Sequence, residues 1–176
     1  LSKLDPKILK TEYQINDVDV IIGGPPCQGF SVAGKRIIDD IRNTLYKSFV
    51  RFVEVFKPQA FVMENVPNIL TIGEGIVRQS ILNDFKELGY TVEYKVMLAS
   101  DYGVPQNRKR AVFVGFKNGT HFSFPEKTVS SPVTSFEALS DLTEGSIVAG
   151  ANYPMPATSS FQKLMRKDSS GVYNHD

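Results

Sequence analysis

The sequence contains one cysteine in 176 residues, so no intrachain disulfide can form, and a reducing, intracellular setting is the one it implies. No apolar run approaches the roughly 18 residues that a membrane-spanning helix needs, which leaves no membrane partner to expect. A charge excess is missing too. Lys and Arg total 20 against 19 Asp and Glu, a formal charge of +1, so bulk charge is silent about a nucleic-acid partner. Nothing calls for a metal, and there is neither an internal repeat nor a low-complexity stretch. The chain opens Leu1-Ser2-Lys3-Leu4 without an initiator Met or a signal-peptide pattern, which reads as a piece of a longer protein or a processed product. The sequon Asn118-Gly119-Thr120 then marks only a turn.

What remains is ordinary for one globular core, with 41% hydrophobic and 22% charged residues. Basic residues are bunched at Lys35-Arg36, at Arg108-Lys109-Arg110 and between Lys163 and Lys167. Such local clusters suit phosphate better than totals do, although any one of them also fits a solvated face.

Val18-Asp19-Val20-Ile21-Ile22 is a β-branched run ending in Gly23-Gly24-Pro25-Pro26, the pattern of a buried strand stopped by a turn. Over 44–56, Leu45, Phe49, Phe52, Val53 and Phe56 recur at helical spacing, and Pro58 closes that helix. Ala60-Phe61-Val62-Met63 is a second strand, which delivers Glu64-Asn65 at its end. Ile76, Val77, Ile81, Leu82, Phe85 and Leu88 predict a helix over 76–88 with Gly89 as its C-terminal cap. Strands follow over 91–98 and 111–116. Past Lys117 the periodicity dissolves, leaving a short helix over 135–142. Alternating strands and helices predict an α/β fold with a mostly parallel sheet, whose ligands lie outside the carboxyl ends of the strands. Cys27 and Glu64 both fall there.

Cys27 stands in Gly23-Gly24-Pro25-Pro26-Cys27-Gln28-Gly29-Phe30-Ser31, where prolines stiffen the approach and glycines let a backbone come close to a ligand. A lone cysteine is more often a small buried hydrophobe than a nucleophile, but a rigid turn is where a reactive thiol belongs. This segment resembles the Pro-Cys loop of the DNA cytosine-5 methyltransferase family. The resemblance continues in order through Glu64-Asn65-Val66, similar to the family's Glu-Asn-Val motif, then through Asp101-Tyr102-Gly103-Val104-Pro105 and Gln106-Asn107-Arg108-Lys109-Arg110, similar to its Gln-x-Arg-x-Arg motif. It covers roughly residues 15–116, and Asn174-His175 resembles a short Asn-His element ahead of the family's target-recognition region.

The resemblance implies a Rossmann-like fold, S-adenosylmethionine as cofactor, double-stranded DNA as partner, and methyl transfer to carbon 5 of a flipped-out cytosine through a covalent Cys27 adduct. The chemistry explains these residue types. Carbon 5 is too electron-poor to attack a methyl donor until a thiolate adds to carbon 6. A carboxylic acid facing ring nitrogen 3 and a cation facing oxygen 2 then stabilise the charge that develops. Glu64, partly desolvated so that it can hold a proton, takes the first role, and Arg110 the second. Arg108 supports the loop or the sugar-phosphate. In isolation Glu64 would read as a helix cap or a surface ion pair, and the basic triplet as a solvated turn. Residues 28–42 resemble a loop that closes over the base, with Gln28 at its start and Ser31, Lys35 and Arg36 as phosphate contacts. Asn65 orients the Pro-Cys loop through backbone hydrogen bonds, and Pro25 and Leu45 flank the cofactor; on composition alone these last two are packing residues.

The family's Gly-rich cofactor motif, ribose-binding acid and adenine-contacting Asp are absent, since only 17 residues precede Val18. The expected organisation is a catalytic portion over 1–117, incomplete on its N-terminal side, and an irregular segment over 118–176 leading towards a target-recognition region. Such a chain is expected to bind S-adenosylmethionine poorly alone. A fragment of a complete enzyme is the favoured explanation, ahead of a split enzyme that needs a complementary polypeptide and of a degenerate copy. A close runner-up keeps the chemistry but takes cytosine in tRNA as substrate, as one branch of the family does, and a third reading is a non-catalytic nucleic-acid-binding or assembly module.

Overall fold

The computed structural model describes residues 4–26, 45–117, 119–120, 122–142, 153 and 155–167. They form two compact units, one of Leu1–Met97 with Lys109–Pro125 and one of Leu98–Arg108 with Glu126–Asp176.

The first unit opens with helix α1, Pro6–Glu12, started by the Asp5 carboxylate accepting from the Lys7 N–H at 2.9 Å and by proline in its first turn. Strand β1 is Val20–Gly23, α2 is Leu45–Phe56, β2 is Ala60–Asn65, α3 is Ile76–Glu87, β3 is Tyr90–Leu98 and β4 is Lys109–Lys117. The strands make one sheet in the order β1-β2-β4-β3. β1 and β2 are parallel, with Ile21 beside Phe61 and Gly23 beside Met63. β4 inserts antiparallel against β2, with Gly115 opposite Phe61 and Val112 opposite Glu64. The α/β class is as the sequence predicts, and within the mostly parallel sheet it expects, β4 is an antiparallel member. β4 follows β3 through only ten residues with no full helix between them, too little chain for the usual crossover to a parallel neighbour.

Alternation along β2 puts Phe61 and Met63 on the face covered by α2 and α3. There Phe61 stacks on Phe85 with centroids 4.0 Å apart and meets Phe49 and Tyr90 edge-on at 5.9 and 5.4 Å. Val53 and Ile81 complete the fully buried centre. The helical spacing of 44–56 is borne out, with Phe52 and Phe56 half-buried and stacked on each other at 6.1 Å. Tyr46, which the spacing did not single out, is in the core. Gly89 follows α3 with φ 84°, donating its N–H to the Lys86 carbonyl at 2.9 Å, as a C-terminal glycine should. At the other end of α3, Gly73, Glu74 and Gly75 all take left-handed backbone, φ 58°, 57° and 91°, and turn the chain into the helix; Ile76 is left exposed there.

Tyr90 is buried and donates its hydroxyl to the Pro58 carbonyl at 2.6 Å, and burial pushes its pKa up to about 12. A phenol that stays protonated longer when folded contributes stability that is complete below its unfolded pKa of about 10 and is lost as pH rises through 12. Tyr90→Phe is therefore expected to cost about 1–2 kcal/mol at neutral pH, because the Pro58 carbonyl loses its partner, and to flatten part of the alkaline fall in stability. Urea titrations of both proteins between neutral and alkaline pH measure this; parallel curves would contradict it.

The second unit holds two short helices, α4 at Ser135–Leu139 and α5 at Ser160–Met165. Each starts with a reciprocal cap, Thr134 with Glu137 and Ser159 with Gln162. Arg166 joins them into a knot: it pairs with the buried Asp141, donates to the Met155 carbonyl at 2.9 Å and lies 3.5 Å over the Tyr153 ring. The backbone N–H and hydroxyl of Thr134 hold the Glu137 carboxyl below the ordinary glutamate range. Its contribution is present above the unfolded pKa and lost as pH falls through the lowered value. An NMR titration should find Glu137 protonating later than a free glutamate on acidification, and an ordinary midpoint would show that the cap is not formed.

Candidate active site

The carboxyl ends of β1 and β2 lie side by side, and the residues leaving them hold each other. Asn65 ends β2, is 5% exposed, and spends both ends of its amide. Its Nδ2 donates to the Pro25 carbonyl at 2.9 Å and its Oδ1 accepts the Val66 N–H at 2.9 Å. A buried amide with both functions satisfied is a rigid strut. It pins the backbone two positions ahead of Cys27 to the end of β2.

Glu64 points to the opposite face of the sheet from the aromatic core, as alternation requires. Its Oε2 lies 3.1 Å from Arg110 Nε, and Arg110 Nη1 in turn donates to the Lys109 carbonyl at 2.8 Å. The antiparallel register explains the meeting: Glu64 is opposite Val112, so Arg110 is two residues along the neighbouring strand on the same face. The Glu64 side chain is 47% exposed, yet Oε2 is covered and accepts no hydrogen bond of good geometry, with the Arg110 guanidinium beside it. The sequence expected partial desolvation of this carboxyl, and the structure covers one oxygen rather than the whole group.

Of the predicted site residues, Pro25, Glu64, Asn65 and Arg110 come together. Pro25 is buried, with its carbonyl occupied by Asn65. Arg108 is exposed in the second unit, where its carbonyl accepts from the Ala99 N–H at 2.9 Å and its own N–H donates to Gln106 at 2.9 Å. Leu45 begins α2. Cys27, Gln28, Ser31, Lys35 and Arg36 lie outside the described residues. At the two glycines before the prolines, space for a side chain is taken by the Phe49 ring at Gly23 and by Glu64 at Gly24. That signal was legible only with the strand register in hand.

A sheet with parallel β1 and β2, an inserted antiparallel strand and polar groups at the strands' carboxyl ends defines a Rossmann-like methyltransferase fold. It is shared with a solved DNA modification methyltransferase encoded within an E. coli prophage, at TM-score 0.65 and 34% identity over 86% of this chain and 42% of that one. The Entamoeba histolytica methyltransferase EhMeth has the same fold at TM-score 0.58 and 18% identity, over 82% of this chain and 43% of that one. Residues 2–172 match the model of the C-5 cytosine-specific DNA methylases, and the chain belongs to that family. It is 44% identical to the Type II methyltransferase M.DdeI of Desulfomicrobium norvegicum, over 99% of this chain and 45% of that protein. It is 43% identical to the Type II methyltransferase M1.HphI of Haemophilus parahaemolyticus, over 90% of this chain and 38% of that protein. The chain thus spans less than half the length of these curated relatives. No helix among the described residues is long and apolar enough to cross a membrane, and no cluster among them could hold a metal ion.

Proposed function

We propose that the protein carrying this chain methylates carbon 5 of cytosine in duplex DNA through a covalent adduct on Cys27, in the manner of a Type II modification enzyme. The observation that carries the reading is the joint between the two strand ends. Asn65 holds Pro25, and Glu64 sits beside Arg110, so the acid and the cation stand at the root of the segment that leads to Cys27.

In this reading the Cys27 thiolate adds to carbon 6 of a base turned out of the helix, forming the carbon–sulfur bond and making carbon 5 enamine-like. Glu64 hydrogen-bonds ring nitrogen 3, where the displaced electrons gather, and Arg110 offsets the charge on oxygen 2. After methylation, loss of the proton on carbon 5 lets its electron pair re-form the double bond and expel the thiolate. Asn65 keeps the Pro-Cys segment in register with Glu64. Gln28, Ser31, Lys35 and Arg36 contact the DNA backbone, and Arg108 supports the substrate strand.

The family implies S-adenosylmethionine, which would supply the methyl group. Pro25, held in place by Asn65, and Leu45 would flank it, and its remaining contacts come from polypeptide outside the described residues, on this chain or on a complementary one.

The test is trapping. DNA carrying 5-fluorocytosine cannot lose fluorine from carbon 5, so the protein, DNA and S-adenosylmethionine together should give a denaturation-resistant complex, and tRNA in place of DNA should not. No complex with any sequence of DNA would overturn the reading.

A further inference from the structure

Gly24 continues the line of β1, where alternation places it on the same face as Ile22 and Glu64. A Cβ built on it would lie 2.8 Å from Glu64 Oε1, 3.2 Å from Cδ and 3.3 Å from Cγ, all inside the 3.4 Å at which ordinary contact begins. The whole end of the glutamate side chain is therefore laid against a bare Cα, with its other oxygen on Arg110. Backbone freedom does not explain the glycine. Gly24 is not among the residues with left-handed φ, so alanine can adopt its conformation. What glycine provides is room, and the occupant of that room is the carboxylate.

We propose that Gly24 is a positioning residue: the missing side chain is the seat that sets the Glu64 carboxylate against Arg110 and at the height of the substrate base. This rests on the cytosine methylation reading, but its geometric half stands apart from it. The atom that an added methyl would meet is the tip of a flexible, half-exposed side chain. Glu64 can swing aside, so Gly24→Ala should fold normally and lose the placement of its acid. A displacement of this kind in a group that must face one ring atom is expected to cost on the order of 100-fold in rate.

The experiment compares wild type, Gly24→Ala, Glu64→Gln and the double variant, with the protein bound to DNA and S-adenosylmethionine. For Gly24→Ala the expected result is an unchanged melting temperature, an unchanged KM for DNA and a rate of adduct formation lower by about two orders of magnitude. In the Glu64→Gln background the same change should cost little, because the group it displaces no longer serves as the acid. A crystal structure of Gly24→Ala should show the Glu64–Arg110 contact lengthened. Wild-type rates for Gly24→Ala, or an equal loss in both backgrounds, would overturn the proposal. An inactive wild type would instead overturn the reaction, and the crystal structure alone would then decide the seat: an unmoved carboxylate refutes it.

Discussion

Cys27→Ser is expected to abolish the covalent complex with 5-fluorocytosine DNA and to remove methyl transfer altogether, while DNA is still retained. The reason is nucleophilicity. A thiol gives an appreciable thiolate fraction near neutrality, whereas a serine hydroxyl has no base beside it in the proposed mechanism to make it an alkoxide. Glu64→Gln is a milder lesion of the same reaction. It keeps the volume and a hydrogen bond but removes the acid, and a loss of about 10²–10⁴-fold in adduct formation is expected for a general acid. The two variants separate roles. If Cys27→Ser still forms the adduct, the nucleophile is elsewhere; if Glu64→Gln matches wild type, Glu64 does not act on the base. Gel analysis under denaturing conditions, with methyl transfer from labelled cofactor alongside, reads both.

Phe61→Ala should destabilise the first unit by about 3–5 kcal/mol, a large part of the roughly 5–15 kcal/mol that holds a domain folded. Phe61 is fully buried, and its ring is the meeting point of Phe49, Phe85 and Tyr90. Its removal unmakes three ring contacts and leaves a cavity under the middle of β2. The ring also fills the side-chain space of Gly115 of β4, its cross-strand partner, where a Cβ would fall 2.1 Å from Phe61 Cε1. Gly115→Ala is expected to cost about 1–3 kcal/mol or more, since Phe85 stacked at 4.0 Å blocks the ring from retreating. On a Phe61→Ala background the same alanine should cost far less. Urea unfolding of the four proteins tests this, and additive penalties would mean that the two residues do not share the space.

Helices α2 and α3 and the four strands were legible because each is long enough for its hydrophobic period to repeat, and the end of α3 because Gly89 is the residue that a left-handed turn demands. α1 and α5 were missed. At seven and six residues they complete barely two turns, so no period can emerge, and only their caps announce them: Asp5 with Pro6, Ser159 with Gln162. The site was legible as motifs. Glu64, Asn65 and Arg110 were each named from short strings and do converge, but what they touch was not written in those strings. That Asn65 grips Pro25, that Arg110 lies within reach of Glu64, and that Gly24 makes space for a carboxylate all depend on which strand lies beside which.

The order of residues by itself determined the longer elements, the chemistry available at their ends and the family to which the chain belongs, because helix and strand periods and reactive side chains are local properties. Only the tertiary structure decided that β4 lies antiparallel between β2 and β3, and hence that a guanidinium from residue 110 meets a carboxylate from residue 64. Strand adjacency is settled by packing between segments far apart in the chain, and a shift of one residue in that register would turn Arg110 to the other face of the sheet.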